Sequence, residues 1–233
     1  MIHPTAIIDT AAVLGDNVEV GPYCVIGPGV VLGDNVVLKS HVVVRGPSTI
    51  GNRVQIYQFA TVGEDTPALA FEGEDSVLEV GEGTIIREGV TIHRGMAKRG
   101  IQKTIIGSNC LLMAYVHVGH DCIVGNNVIM ANNASLSGHV EVGDFANFGG
   151  YSGIPQFRKV GAFTHIAGMS LVTKDVPAYM TVAGNPASAV GLNVEGMKRR
   201  GVSSEGRLAL KQAHKLVYRS GLRVAEAIAQ MHE

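Results

Sequence analysis

Aliphatic residues recur every six positions along most of this chain of 233 residues. The series opens Ile2, Ile8, Leu14, Val20, Ile26, Leu32, Leu38, Val44, Ile50, Ile56, Val62. It resumes at Val80, Ile86 and Ile92, then runs two residues out of step from Ile106 through Leu112 and Val118 to Val172. A period of six matches neither the 3.6 of a helix nor the alternation of a plain strand. It is the signature of a parallel β-helix built from hexapeptide repeats, with three hexads closing a triangular coil of about 18 residues. Smaller inward residues stand two before the aliphatic ones, among them Val18, Cys24, Val54, Cys122 and Ala134. Glycine often follows the aliphatic position, as at Gly15, Gly33, Gly119 and Gly143, where a missing Cβ permits a sharp turn or a close approach. The predicted class is all-β: a prism of roughly nine or ten coils over residues 1–190, followed by a small helical region over 191–233.

The rhythm breaks twice. Residues 63–79 carry Glu64, Asp65, Pro67, Glu72, Glu74 and Asp75, too polar for coil wall, and residues 93–105 carry Arg94, Lys98, Arg99 and Lys103. Both segments read as loops thrown out from the prism. Loops on a rigid scaffold commonly carry binding function, although tolerated insertions would look the same. The repeat stops near Val172, and Pro177, Gly184, Asn185 and Pro186 mark a turn-rich terminator. Beyond it Leu208, Leu210, Ala213, Leu216 and Val217 form an apolar stripe at helical spacing, with Ser203 or Ser204 as N-cap.

Charge and composition narrow the function classes. The net charge is −1, so overall balance implies no nucleic-acid partner. Residues 191–233 hold eight basic and four acidic side chains, a balance of +4 that leaves −5 on the prism. A basic tail suggests an acidic partner, with a solvated surface as the alternative. No apolar run approaches the roughly 18 residues that span a membrane, and Met1-Ile2-His3-Pro4 is not a basic-then-apolar leader. A cytoplasmic protein is expected. Cys24, Cys110 and Cys122 all occupy the small inward slot, which points to core packing rather than a disulfide, metal or nucleophilic role.

Nine histidines are present, and His3, His41, His165, His214 and His232 read as ordinary surface or turn residues. His117 and His120 bracket one turn, ahead of Asp121. His139 follows His120 by 19 residues, one coil plus one, and His93 opens the second loop. Histidine suits general-base work near neutral pH, and Asp121 could orient the His120 imidazole. His117, His120 and His139 could also ligate zinc, across a subunit interface among other arrangements. Spacing alone leaves acid–base, structural and metal roles open.

Longer motifs narrow the choice. Thr91-Ile92-His93-Arg94-Gly95, His117-Val118-Gly119-His120-Asp121, Ala131-Asn132-Asn133-Ala134 and Gly138-His139-Val140 resemble the bacterial UDP-N-acetylglucosamine O-acyltransferase family. So does Asn193-Val194-Glu195-Gly196-Met197-Lys198-Arg199-Arg200-Gly201, and the likeness runs nearly end to end. The resemblance implies a left-handed β-helix and a homotrimer with active sites between subunits, working without metal or cofactor. It implies transfer of an (R)-3-hydroxyacyl group from acyl carrier protein to the 3-hydroxyl of UDP-N-acetylglucosamine, the first step of lipid A synthesis. In that framework His120 is the general base, Asp121 orients it, and the Gly138 N–H stabilises the oxyanion. His93, His117 and His139 would line the sugar–acyl junction. Asn193, Glu195, Arg199 and Arg200, with Gln156, would hold the uridine diphosphate. Gly168 would help set acyl length, and Lys211, Lys215 and Arg219 would attract the acidic carrier protein.

Departures from the family pattern bear on the acceptor. Ala68 and Ala70 stand where the family usually has an aspartate and a lysine that contact the sugar, and Pro155 and Pro186 stand where histidine is common. The chain also stops earlier after its second tail helix than typical members do. The rival expectations are an N-acyltransferase acting on a UDP-amino-sugar such as a 3-amino analogue, a zinc-binding carbonic-anhydrase-like trimer, and a non-catalytic binding solenoid.

Overall fold

A computed structural model describes residues 1–98 and 100–231; Arg99 and His232 therefore lie outside the described residues. The chain winds as a left-handed parallel β-helix whose short strands stack into three parallel faces. On the first face the ladder runs Ile26↔Val44, Val44↔Val62, Val62↔Ile92, Ile92↔Val118, Val118↔Leu136 and Leu136↔Ile154. The six-residue series is thus the set of inward rungs. Nearly all are buried and, with Cys24, Cys110 and Cys122 between them, make one continuous core. Each coil covers the apolar end of the next, so stability accrues by nearest-neighbour stacking.

The ladder also accounts for the broken rhythm. Thr61 pairs with Thr91, 30 residues on, and Thr91 with His117, 26 on. Against the 18-residue spacing of Val43 and Thr61, these are insertions of twelve and eight. Twelve is a whole number of hexads and keeps the phase; eight shifts it by two. Strands cover Thr61–Glu64, Val77–Val80, Thr91–His93 and Lys103–Ile106, so the protruding parts are shorter than predicted, 65–76 and 94–102. Both loops leave the same corner, between the first and second faces. They are tied together by an Arg94–Asp65 ion pair, a Lys98–Glu72 ion pair and a hydrogen bond from His93 Nδ1 to the Asp65 carbonyl (2.7 Å).

Corner chemistry differs from the expectation in one respect. The second residue of most corners is left-handed without being glycine, as at Asp121 (φ 58°), His139 (62°) and Phe157 (63°). Glycine after a rung instead answers close approach: a Cβ on Gly119 would lie 2.8 Å from the Gly138 nitrogen of the next coil.

The prism ends in an antiparallel hairpin, Met180–Gly184 with Ala187–Leu192, that the hexad pattern does not predict. Three helices follow: α1 (Val194–Arg199), α2 (Ser204–Arg219) and α3 (Val224–Met231). Ser203 caps α2 by accepting the Gly206 N–H. None of the described helices is long and apolar enough to cross a membrane.

Candidate active site

His120, Gly138 and Gln156 occupy the same corner position in three successive coils, so they stack in one column. Asp121, His139 and Phe157 form the neighbouring column. His139 stacks on Phe157 with ring centroids 4.6 Å apart, and meets His120 edge-on at 4.9 Å. The His120 ring lies over Gly138, filling the space a Cβ there would need: that atom would sit 2.5 Å from His120 Nε2. Among the described residues the Gly138 N–H finds no acceptor. The equivalent N–H groups at the next corner are met by Asx side chains, as Asn126 by Asp144 (2.6 Å) and Ser108 by Asn126 (2.8 Å). A buried glycine with an uncommitted N–H beside an imidazole is a ready donor to a developing oxyanion.

The base is oriented from behind. Nδ1–H of His120 donates to Asp121 Oδ2 over 2.8 Å, which leaves the Nε2 lone pair facing Gly138. The second loop closes on the same carboxylate, with the Met96 and Ile101 N–H groups donating at 3.1 and 2.8 Å. Gly100 packs so close to the Asp121 carboxylate that no side chain fits there, and Thr104 Oγ1 accepts the Asp121 N–H (2.9 Å). Burial works against charge on Asp121, but the bonds from His120, Met96 and Ile101 outweigh it and hold the carboxyl below its usual range. Met96, Gly100, Ile101 and Thr104 are absent from the sequence-based list. Their signal there is only a Gly in a loop of unexplained length.

His93 and His117 form a second pair, ring centroids 5.4 Å apart, with His117 Nδ1 2.8 Å from Thr91 Oγ1. Burial pushes the His117 imidazole toward its neutral form, reinforced by His93 and His120. Burial does the same at His139, partly offset by the Asp121 charge, and at His165. Among the described residues the compact metal-capable group is His120, Asp121 and His139, with ligand atoms within 4.8 Å, rather than the trio with His117. Its carboxylate is already engaged by three donors, so the cluster is built to hold an imidazole.

These neutral imidazoles set a pH dependence. The unfolded chain protonates each near pH ~6.5 and the folded chain only below that, so stability falls as pH drops through this window. The melting temperature should decline between about pH 7 and 5, and Asp121 adds its loss only below its unfolded value of ~3.9. A flat profile from pH 7 to 5 would contradict buried neutral rings.

Of the expected diphosphate residues, Gln156 stands in the His120 column and the other four lie elsewhere. A cleft of about 470 Å³ on the third face is lined by Asn193, Glu195, Arg199 and Arg200 together with Asn147 and His165. Arg200 lies 5.3 Å over the Phe145 ring, and Arg199 pairs with Glu195 (3.0 Å). Asn193 is committed to structure: its Oδ1 accepts the Gly196 N–H (3.0 Å) and its Nδ2 donates to the Phe163 carbonyl (2.8 Å). It caps α1 and fixes where Glu195, Arg199 and Arg200 point. The cleft and the His120 corner stand at opposite edges of the second face. Gly168 sits exposed at the corner between the third and first faces, where a Cβ would touch only the Gly150 backbone, at 3.3 Å. Lys211, Lys215 and Arg219 follow one line along α2 and rim an apolar groove with Leu192, Val194 and Leu208.

A hexapeptide prism with a carboxylate-held histidine at its corner defines the class as a hexapeptide-repeat acyltransferase. Residues 11–46 and 103–138 match the bacterial transferase hexapeptide model, and residues 175–233 match UDP N-acetylglucosamine O-acyltransferase, domain 2. The acyl-[acyl-carrier-protein]–UDP-N-acetylglucosamine O-acyltransferase of Stutzerimonas stutzeri is 49% identical over all of this chain and 90% of its own length. The LpxA structure from Acinetobacter baumannii superimposes with a TM-score of 0.95 at 48% identity, covering 100% of this chain and 90% of that one. The Francisella novicida UDP-N-acetylglucosamine acyltransferase gives 0.96 at 40%, over 99% and 86%. The chain belongs to the UDP-N-acetylglucosamine O-acyltransferase family, and is an acyltransferase.

Proposed function

We propose that this enzyme moves an (R)-3-hydroxyacyl group from acyl carrier protein to the 3-hydroxyl of UDP-N-acetylglucosamine, opening lipid A synthesis in the cytoplasm. The observation that carries the chemistry is the aligned set Asp121, His120 and Gly138. His120 Nε2 takes the proton from the sugar hydroxyl as its oxygen attacks the thioester carbonyl. The Gly138 N–H receives the negative charge that builds on the carbonyl oxygen, and collapse expels the carrier thiolate. No covalent enzyme intermediate, metal or cofactor is used. Asp121 holds the productive tautomer and stabilises the imidazolium once formed.

Nucleotide binding falls to Arg199 and Arg200, whose planar guanidinium groups suit a diphosphate, with Glu195 beside them. Gln156, in the His120 column, and His93, His117 and His139 face the junction of sugar and acyl chain. Because the cleft and the His120 corner are separated on one prism, a homotrimer that sets one chain's corner against the next chain's third face would complete each site. A monomeric mass in sedimentation under assay conditions would count against this arrangement. The basic line Lys211, Lys215 and Arg219 supplies charge for an acidic carrier protein.

Gly168 leaves the corner open for the acyl chain. Gly168→Met should shift the preferred donor to a shorter chain by filling the groove. Competition among carrier proteins of several acyl lengths, read by mass spectrometry, checks this; an unchanged preference would place the chain elsewhere.

The loop bearing Ala68 and Ala70 favours a second reading at the acceptor. Methyl groups cannot replace the two polar contacts, each worth about 1.5–3 kcal/mol when charged, so a UDP-amino-sugar attacked through nitrogen is the alternative. Purified enzyme offered UDP-N-acetylglucosamine and its 3-amino analogue decides between them: an O-acylated product supports the first, N-acylation alone the second.

A further inference from the structure

Two side chains in the third-face cleft have no role in this scheme. Asn147 and His165 are outward residues of the paired strands Asn147–Phe148 and His165–Ile166, one coil apart. His165 Nδ1 lies 2.9 Å from the Asn147 amide oxygen. That oxygen only accepts, so Nδ1 carries the proton and Nε2 keeps its lone pair. Burial favours this neutral ring. Among the described residues neither His165 Nε2 nor Asn147 Nδ2 has a further hydrogen-bond partner. The pair therefore offers the cleft one acceptor beside one donor, next to the stacked rings of Phe145 and Phe163 and within the same lining as Arg199 and Arg200.

An acceptor beside a donor is the complement of an imide edge. Uracil presents N3–H next to a carbonyl oxygen, whereas cytosine held in the same pose presents an N3 lone pair next to an amino group and would set acceptor against acceptor and donor against donor. We propose that Asn147 and His165 read the base of the nucleotide, His165 Nε2 accepting the uracil N3–H and Asn147 Nδ2 donating to its carbonyl. The inference rests on the cleft being the nucleotide site and adds what selects uridine there. A site built to pair a polar edge leaves its own groups unsatisfied against the wrong one, which is where discrimination arises.

Calorimetric titration of the full chain with UDP, CDP and N3-methyl-UDP tests it, in the wild type and in His165→Ala, Asn147→Ala and Arg200→Ala. The wild type should favour UDP over both others by roughly tenfold or more. His165→Ala and Asn147→Ala should each cut that preference to about threefold or less, mainly by weakening UDP, with the melting temperature unchanged. A wild-type preference near one, a preference for CDP, or one that both variants preserve would overturn base reading. If Arg200→Ala still weakens UDP in that case, the cleft remains the nucleotide site. No nucleotide binding by the wild type, or UDP binding indifferent to Arg200→Ala, would remove the cleft assignment and this inference with it.

Discussion

His120→Ala is expected to lower kcat by about two to four orders of magnitude while leaving affinity for the nucleotide sugar within a few-fold of wild type. The separation follows from position. His120 stands at the corner between the first and second faces, whereas the arginines that would hold the diphosphate line the third. Removing the imidazole takes away the proton acceptor and leaves that cleft intact. Asp121→Asn should follow it part of the way. An amide can accept through its oxygen, but it carries no charge to steady the imidazolium, and the donors from Met96 and Ile101 compete for that oxygen. Steady-state kinetics with a saturating acyl donor, alongside equilibrium binding of the sugar nucleotide, gives both numbers. A His120→Ala enzyme that turns over within tenfold of wild type would require another base.

Gly138→Ala should cost on the order of 10²–10³ in kcat together with about 1–3 kcal/mol of fold stability. The added methyl would stand 2.5 Å from His120 Nε2 and 2.6 Å from Cε1, far inside contact distance. The ring has no easy escape, being bonded to Asp121 on one side and packed against His139 on the other. The backbone of the second coil must therefore give way, carrying the N–H away from where the oxyanion forms. Gly138 does not occupy the left-handed backbone region, so alanine is conformationally permitted there. A melting temperature lowered by a few degrees, with the fold retained and kcat strongly reduced, is the expected pattern. Normal turnover would mean that the Gly138 amide does not take part.

Which site residues neighbour one another is legible from spacing, because in a solenoid sequence separation is spatial separation, whereas their roles came from the family resemblance. A residue 18 positions on lies in the next coil, so His120, Gly138 and Gln156 form a column by arithmetic alone. The hairpin and the contents of the loops were not legible, since neither obeys the hexad. That Met96, Gly100 and Ile101 close on Asp121 depends on how an eight-residue insertion folds back over its own corner. His165 was passed over as an ordinary surface residue. Its sequence neighbours are those of any rung, and only the arrival of α1 beside the third face turns its strand into a cleft wall.

The sequence by itself determined the prism, its phase, its two interruptions and the column that holds the histidine and its glycine. It could do so because each hexad makes the same contacts with its nearest neighbours wherever it falls along the axis. Tertiary structure alone decided which loop amides hold the carboxylate, that the Asn193 amide is spent on capping α1, and that Asn147 and His165 share a cleft with Arg199 and Arg200. Those contacts join segments with no common period, and their geometry follows from packing across the prism rather than along it.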